Sequence, residues 1–328
     1  MSFTKYYYLK EDEMTTTTRK GIHHLYEPTG KYSMSPKDFM DVLNFIEKEN
    51  GGKITSTNAK INEKVDGMGF RFGLDQNNKF FVESSYSGPI YNAGDFSKKS
   101  IEKRGESSIY TRALDDVTVS LMGNKILHNI IKKHNTPTGI KVVCELFYAP
   151  IGKEEGDLIS FVVTKYRKDM IGSFATFVMF DVIDGEGNQL ENYETIIDDI
   201  KKISTKEIKF DDNVASVADL DLSPIIKKIN KTVKQIEDRE GNKIDAIISD
   251  PSRKKDAMDK KREIKAEILN LQKMVSDEIQ KIIPSSKFGD DNTIPEGIVL
   301  NLANGILLKI VTNKFKEAKS EYNKEYKK

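Results

Sequence analysis

A single cysteine, Cys144, serves the whole chain of 328 residues. No internal disulfide can form, and a thiolate zinc site of the usual kind is excluded. Cys144 lies in the apolar run VVCELF, where it reads as a core residue in a protein of the reducing cytosol. Net charge is equally scarce. Against 52 lysines and arginines stand 51 aspartates and glutamates, which leaves +1. Overall charge therefore argues neither for nor against a nucleic-acid partner, and a basic surface must come from local clusters such as the tail NKFKEAKSEYNKEYKK. No apolar run approaches membrane-spanning length. The opening MSFTKYYYLKEDE lacks the apolar core of a secretion signal, so a cytoplasmic protein with no membrane partner is expected. Also missing are the Gly-x-x-x-x-Gly-Lys-Ser/Thr loop of P-loop ATPases, a His-Glu-x-x-His zinc motif and any long repeat. Of four histidines, two are adjacent, His23 and His24. Neighbouring side chains diverge on a strand or helix, so the pair reads as ordinary histidines rather than metal ligands.

What is present falls into stretches of different periodicity. SPKDFMDVLNFIEKEN reads as a helix, with Ser35 as N-cap, Pro36 in the first turn, an apolar face of Phe39, Val42, Leu43, Phe45 and Ile46, and a stop at Gly51-Gly52. From Ile61 to Ile183 short β-like runs dominate. FRFGL and KFFVESS form a hairpin about DQNN, IKVVCELFY and SFATFVMFDVI are buried strands, and DDVTVSLMGNKILHNIIKKH between them reads as one helix. Residues 191–284 are charged and helical, with Ile225, Ile226, Ile229, Val233 and Ile236, and again Ile264, Ile268, Leu271, Val275 and Ile279, at helical spacing. PEGIVLNLANGILLKIVT then returns to a hairpin about Ala303-Asn304-Gly305. The expected class is α+β on antiparallel sheets. The expected division is 1–58 as an N-terminal helix-containing segment, 59–190 with 285–316 as the main domain, 191–284 as a helical insertion and 317–328 as a basic tail.

The residues that carry chemistry begin with INEKVDGMGFRFG, where Lys64, Asp66 and Gly67 stand in Lys-x-Asp-Gly spacing. A lysine amine becomes a nucleophile when its environment lets it shed a proton, and a following glycine lets the backbone turn tightly beside a ligand. Further along, in order, come FVESSYSGPI, VVCELFY, FVMFDVID, PEGIV and LLKIVTNKFK. This series resembles the covalent nucleotidyltransferase superfamily of ATP-dependent DNA ligases, RNA ligases and mRNA capping enzymes, from about Ile61 to Phe315. The resemblance implies a ligase-type, ATP-grasp-like nucleotidyltransferase domain with Lys64 as the residue that takes AMP. It further implies Glu63 as a reader of the adenine amino group, as in the RNA-ligase variant, and Asp66 and Gly67 beside the nucleotide. Glu145 falls on the ribose or metal position, Phe180 (Phe177 second) on the purine-stacking position, Glu296 on the metal position and Lys309 on the α-phosphate position.

Three departures accompany it. Tyr86 stands where the second motif has arginine. Gly69 stands where many DNA ligases have arginine, with Arg71 two positions later. Val311 stands where a second phosphate lysine is usual, leaving Lys314 or Lys316 to take that part. The GIHHLYEP run before a helix also resembles phage-encoded members, which implies a viral origin.

The implied reaction is Mg²⁺-dependent. Lys64 takes AMP from ATP, passes it to a 5′-phosphate, and a 3′-hydroxyl then displaces it, so the implied partner is nucleic acid bearing those two ends. Fewer than twenty residues follow Lys309, so no OB-fold is expected after it. Two alternatives stay open: a ligase-fold nucleic-acid or nucleotide-binding protein that has lost strand joining, and a guanylyltransferase.

Overall fold

The computed structural model describes residues 22–27, 33–55, 58–65, 67–84, 87–96, 98, 109–148, 174–212, 214–215, 219–252, 254–283, 285, 287, 293–302 and 307–326. In chain order the elements are β1 (Ile22–His24), α1 (Pro36–Asn50), β2 (Lys53–Ile54), β3 (Ala59–Lys64), β4 (Met68–Leu74) and β5 (Phe80–Ser84). There follow α2 (Ile109–Gly123), α3 (Lys125–Lys133), β6 (Ile140–Tyr148), β7 (Ala175–Asp184), α4 (Tyr193–Lys201), β8 (Ile208–Asp212) and β9 (Leu220–Asp221). The last are α5 (Ser223–Glu240), α6 (Ile244–Ser249), α7 (Lys255–Gln280), β10 (Gly297–Leu302), β11 (Leu307–Val311) and α8 (Asn313–Tyr326). The fold is α+β.

Two sheets carry the architecture. A four-stranded sheet has the order β1-β11-β10-β3, and a five-stranded sheet the order β5-β4-β6-β7-β8. Pairing is antiparallel within both except for β1 on β11 and β8 on β7, which are parallel. Alternation along each strand sends one set of side chains to a helix-covered core and leaves the other set on the opposite face. On the five-stranded sheet, Phe70, Phe72, Val142, Cys144, Phe177 and Met179 share a core with Val117 and Leu121 of α2, Leu127 and Ile131 of α3, and Ile196 and Ile200 of α4. On the four-stranded sheet, Ile61, Ile298, Leu300, Leu308 and Ile310 share one core with Phe39 and Leu43 of α1, Ile226 and Ile229 of α5, and Ile264, Ile268 and Val275 of α7.

Local chemistry explains most element ends. The Ser35 hydroxyl oxygen accepts the Asp38 N–H at 3.1 Å, and Gly51 closes α1 at φ 59° in the left-handed region. The helix expected across 115–134 is two helices. Asn124 interrupts it, because its side-chain oxygen accepts the Leu127 N–H at 3.0 Å and caps α3. A strand also lies in the stretch read as helical. In β8, Ile208 and Phe210 alternate with Lys209 and Asp211, and Phe210 stacks on Phe177 with ring centroids 5.2 Å apart. The turn at 303–305 lies outside the described residues, while β10 and β11 on either side pair antiparallel as expected of a hairpin. No described helix is long and apolar enough to cross a membrane.

A charge cluster fastens β8 to the rest. Lys287 donates to Asp211 at 2.7 Å and to Asp212 at 3.2 Å, and Lys201 also pairs with Asp212. Burial pushes the Asp212 carboxyl up, but Lys201 and Lys287 outweigh it and hold the group below its ordinary value. A depressed carboxyl contributes stability above its unfolded value near ~3.9 and loses it as pH falls through the folded value. Asp212→Asn should therefore lower the melting temperature more at neutral pH than in acid, as thermal melts across that range would record.

Candidate functional site

The alternation AKINEK in β3 decides what the site contains. Ala59 and Ile61 face the helix-covered core, so Lys60, Asn62 and Lys64 occupy the other face. Lys64 ends the strand opposite Gly297 of β10. Its amine pairs with a carboxylate oxygen of Glu296, and the two side chains are only 13% and 6% exposed. Gly297 makes this possible. A Cβ there would lie 1.9 Å from the Ile310 carbonyl oxygen, so only glycine lets β10 run this close to β11 while Glu296 turns to Lys64. The second carboxylate oxygen of Glu296 is buried with no hydrogen-bond partner among the described residues.

Three residues beyond Lys64 the chain crosses to the other sheet. A Cβ on Gly67 would meet the Glu145 Cβ at 3.1 Å, the Leu146 carbonyl oxygen at 3.2 Å and the Phe147 ring at 3.2 Å. Gly67 thus rests on the strand that bears Glu145, and Glu145 also faces Gly69 across β4–β6. Gly67→Ala should cost about 1–3 kcal/mol through overpacking, read as a lower denaturation midpoint, and should shift Glu145 relative to Lys64. Along the same face, Arg71 donates to Glu83 at 2.8 Å. The β6–β7 register slips between Val143 and Cys144, and Phe180 is the residue left over. It packs with Val143 and Ile183 on the Glu145 face. Phe177 is instead enclosed on the core face between Phe70, Phe72 and Phe210. Of the two aromatics considered from sequence, only Phe180 lies on the Glu145 side.

Lys309 shares the Lys64 face of its sheet. It pairs with Val299, which pairs with Asn62. Val311 lies on that face too, opposite Gly297. Lys314 is exposed in the first turn of α8. Lys316 lies deeper, its amine 5.0 Å from the centre of the Tyr26 ring and lowered in pKa by burial. Neither takes the position of Val311. Glu63 corrects an expectation. It pairs with Ile298 and shares the core-side face with Ile61, and its carboxylate accepts the Lys287 backbone N–H at 2.8 Å. Its side chain therefore leaves the strand on the side opposite Lys64. Asp66 and Tyr86 lie outside the described residues. Cys144 is buried against the Phe70 carbonyl oxygen at 3.3 Å. Burial, with Glu145 adding to it against Arg71, pushes its thiol well up, which rules out a thiolate nucleophile.

Sequence reasoning missed Asn62, His24 and Glu83 as members of the site. The first was legible in the two-residue alternation with Lys64. The other two reach the site through strand pairing, which no local pattern encodes.

No described group of three or more His, Cys, Asp or Glu side chains could hold a metal on its own. Mg²⁺ does not require one, because it keeps several waters and takes one or two carboxylates together with substrate phosphates. The partnerless oxygen of Glu296 fits that kind of ligand set. The structure of this chain is similar to that of an RNA ligase of Naegleria gruberi. With the apo form of one variant the TM-score is 0.43 at 11% identity, over 94% of this chain and 59% of that one. With a variant holding ATP and Mn it is 0.35 at 11% identity, over 94% and 58%. With the pyrophosphate-bound enzyme it is 0.35 at 13% identity, over 96% and 64%. The chain thus spans about three fifths of the length of that ligase. No family model matches the sequence, and no curated protein does.

Proposed function

We propose that this chain is an ATP-dependent polynucleotide ligase working through a lysyl-AMP intermediate on Lys64. The observation that carries the reading is the buried pairing of the Lys64 amine with Glu296 at the point where Gly67 rests against Glu145. One nucleophile, two acids and the cation Lys309 share the inner faces of two sheets, as a phosphoryl-transfer site requires.

In the first step the Lys64 amine, having lost a proton, attacks the α-phosphorus of ATP. The N–P bond forms as the bond to the bridging oxygen breaks, and pyrophosphate departs with the electron pair. Glu296 holds the amine in place beforehand, and Lys309 offsets charge on the α-phosphate. Gly67 leaves room for the nucleotide, Arg71 is braced by Glu83 on the same floor, and Phe180 offers a ring to the purine. A Mg²⁺ ion held by Glu296 and Glu145 would supply charge neutralisation at the phosphoryl oxygens. AMP then passes from Lys64 to a 5′-phosphate, and a 3′-hydroxyl displaces it to join the strands.

Phe180→Ala should raise the KM for ATP about tenfold, since stacking on a base contributes about 1–3 kcal/mol. Phe177→Ala should leave KM alone and cost about 3–5 kcal/mol of stability. Paired kinetics and melts separate the two. Val311, in place of a second phosphate lysine, favours a second reading, a ligase fold that binds nucleotide without joining strands. Incubation with α-labelled ATP or GTP and Mg²⁺, followed by a denaturing gel and sealing assays on nicked and single-stranded RNA and DNA, tests both. ATP label with sealing supports the ligase. ATP label without sealing supports the second reading, GTP label indicates a guanylyltransferase, and protein free of prior AMP that takes no label overturns the proposal.

A further inference from the structure

We infer that His24 binds the β- and γ-phosphates of the nucleotide beside Lys309, in the part that Val311 leaves unfilled. The inference rests on the reading of Lys64 as the AMP acceptor and extends it to the leaving group.

The argument is one of register. β1 runs parallel to β11, and His24 stands directly beside Lys309. Paired residues on neighbouring strands project to the same face. Leu308 and Ile310 on either side of Lys309, and Leu25 next to His24, all belong to the helix-covered core. His24 therefore shares the open face with Lys309, Val299, Asn62 and Lys64. Across the sheet the row reads Asn62, Val299, Lys309, His24, so three strand spacings of about 4.8 Å each separate its ends. A triphosphate whose α-phosphorus sits at Lys64 and whose tail crosses the short Val299 side chain has Lys309 and then His24 along its path.

The backbone at His24 is fixed from both sides. The Leu25 N–H donates to the Lys309 carbonyl at 3.2 Å, and the Met34 N–H donates to the His24 carbonyl at 2.9 Å. The chain bridges back beside it at Ser33. The imidazole is partly exposed, as a ligand-facing group on an otherwise closed strand would be. An imidazole N–H aimed at a phosphate oxygen makes a charge-assisted hydrogen bond, which strengthens as charge collects on the departing pyrophosphate. The fold thus offers a donor from its N-terminal strand where the C-terminal strand carries valine.

AMP has no β- or γ-phosphate, which gives the test its contrast. Binding of α,β-methylene-ATP, which Lys64 cannot cleave, and of AMP is measured by calorimetry with Mg²⁺ for the whole chain and for its His24→Ala and His24→Gln variants. Thermal melts confirm that each variant folds. The expected result is that His24→Ala weakens α,β-methylene-ATP binding about tenfold or more and leaves AMP binding unchanged, with His24→Gln recovering part of the loss through its amide donor. Equal weakening of both ligands, or of neither, overturns the inference while leaving Lys64 in its proposed role. If the wild-type chain binds neither ligand, the nucleotide reading fails and this inference fails with it.

Discussion

Lys64→Ala should take up no AMP from ATP, because no other side chain can form the same bond at that position. The substitution should also unsettle the fold. Glu296 is almost fully buried and its carboxylate pairs with the Lys64 amine. Removing one member of a buried ion pair strands the other, at about 3–5 kcal/mol. Two companion variants separate chemistry from stability. Lys64→Ala combined with Glu296→Gln removes the stranded charge and should recover most of the lost stability without any labelling. Lys64→Arg keeps a cation opposite Glu296, but a guanidinium does not lose its proton in a protein and cannot act as the nucleophile. It should fold near the wild-type midpoint and remain unlabelled. A strand supplied already adenylylated at its 5′ end bypasses the lysine, so these variants, once folded, should still seal it. Loss of that sealing in a well-folded Lys64→Arg would mean that Lys64 does more than carry AMP.

The second large effect is expected at Glu296. Glu296→Gln keeps the shape and removes the charge that both orients Lys64 and fits a divalent cation. Losing one preorganised electrostatic contact of this kind lowers rates by about 10²–10³, read as the single-turnover rate of labelling. If Glu296 acts through the metal, the Mg²⁺ concentration needed for half-maximal labelling should rise with it. If Glu296 serves only as a structural partner of Lys64, the metal dependence should stay where it was. Glu145→Gln gives the comparison. It lies against Gly67 and Gly69 rather than against Lys64, so its metal dependence should move while the Lys64–Glu296 pair survives.

Much of this site was legible because its signals are local. Lys64 and Gly67 come three residues apart, and the same turn that positions the amine brings the glycine onto β6. Glu296 and Gly297 are adjacent for a reason that only the β10–β11 contact explains. What failed or went unseen depended on pairing and alternation. Glu63 was read with Lys64 because the two adjoin in sequence, yet strand geometry sends them to opposite faces. The choice between Phe177 and Phe180 turned on a one-residue slip of register that periodicity alone does not reveal. β8 was hidden among charged residues, since only Ile208 and Phe210 carry its apolar face. The break at Asn124 depended on a side chain competing for a backbone N–H inside an otherwise helical run. His24 joins the site through β1, far from Lys64 in sequence and three strands away in space.

The most direct test of the whole account is peptide mapping by mass spectrometry of the intact protein, freed of any prior AMP and then incubated with ATP and Mg²⁺. The expected result is one AMP per chain, on the peptide containing Lys64 and attached through an acid-labile phosphoramidate. An AMP adduct on Lys60, Lys309 or any other residue with Lys64 unmodified, or no adduct at all, would contradict it.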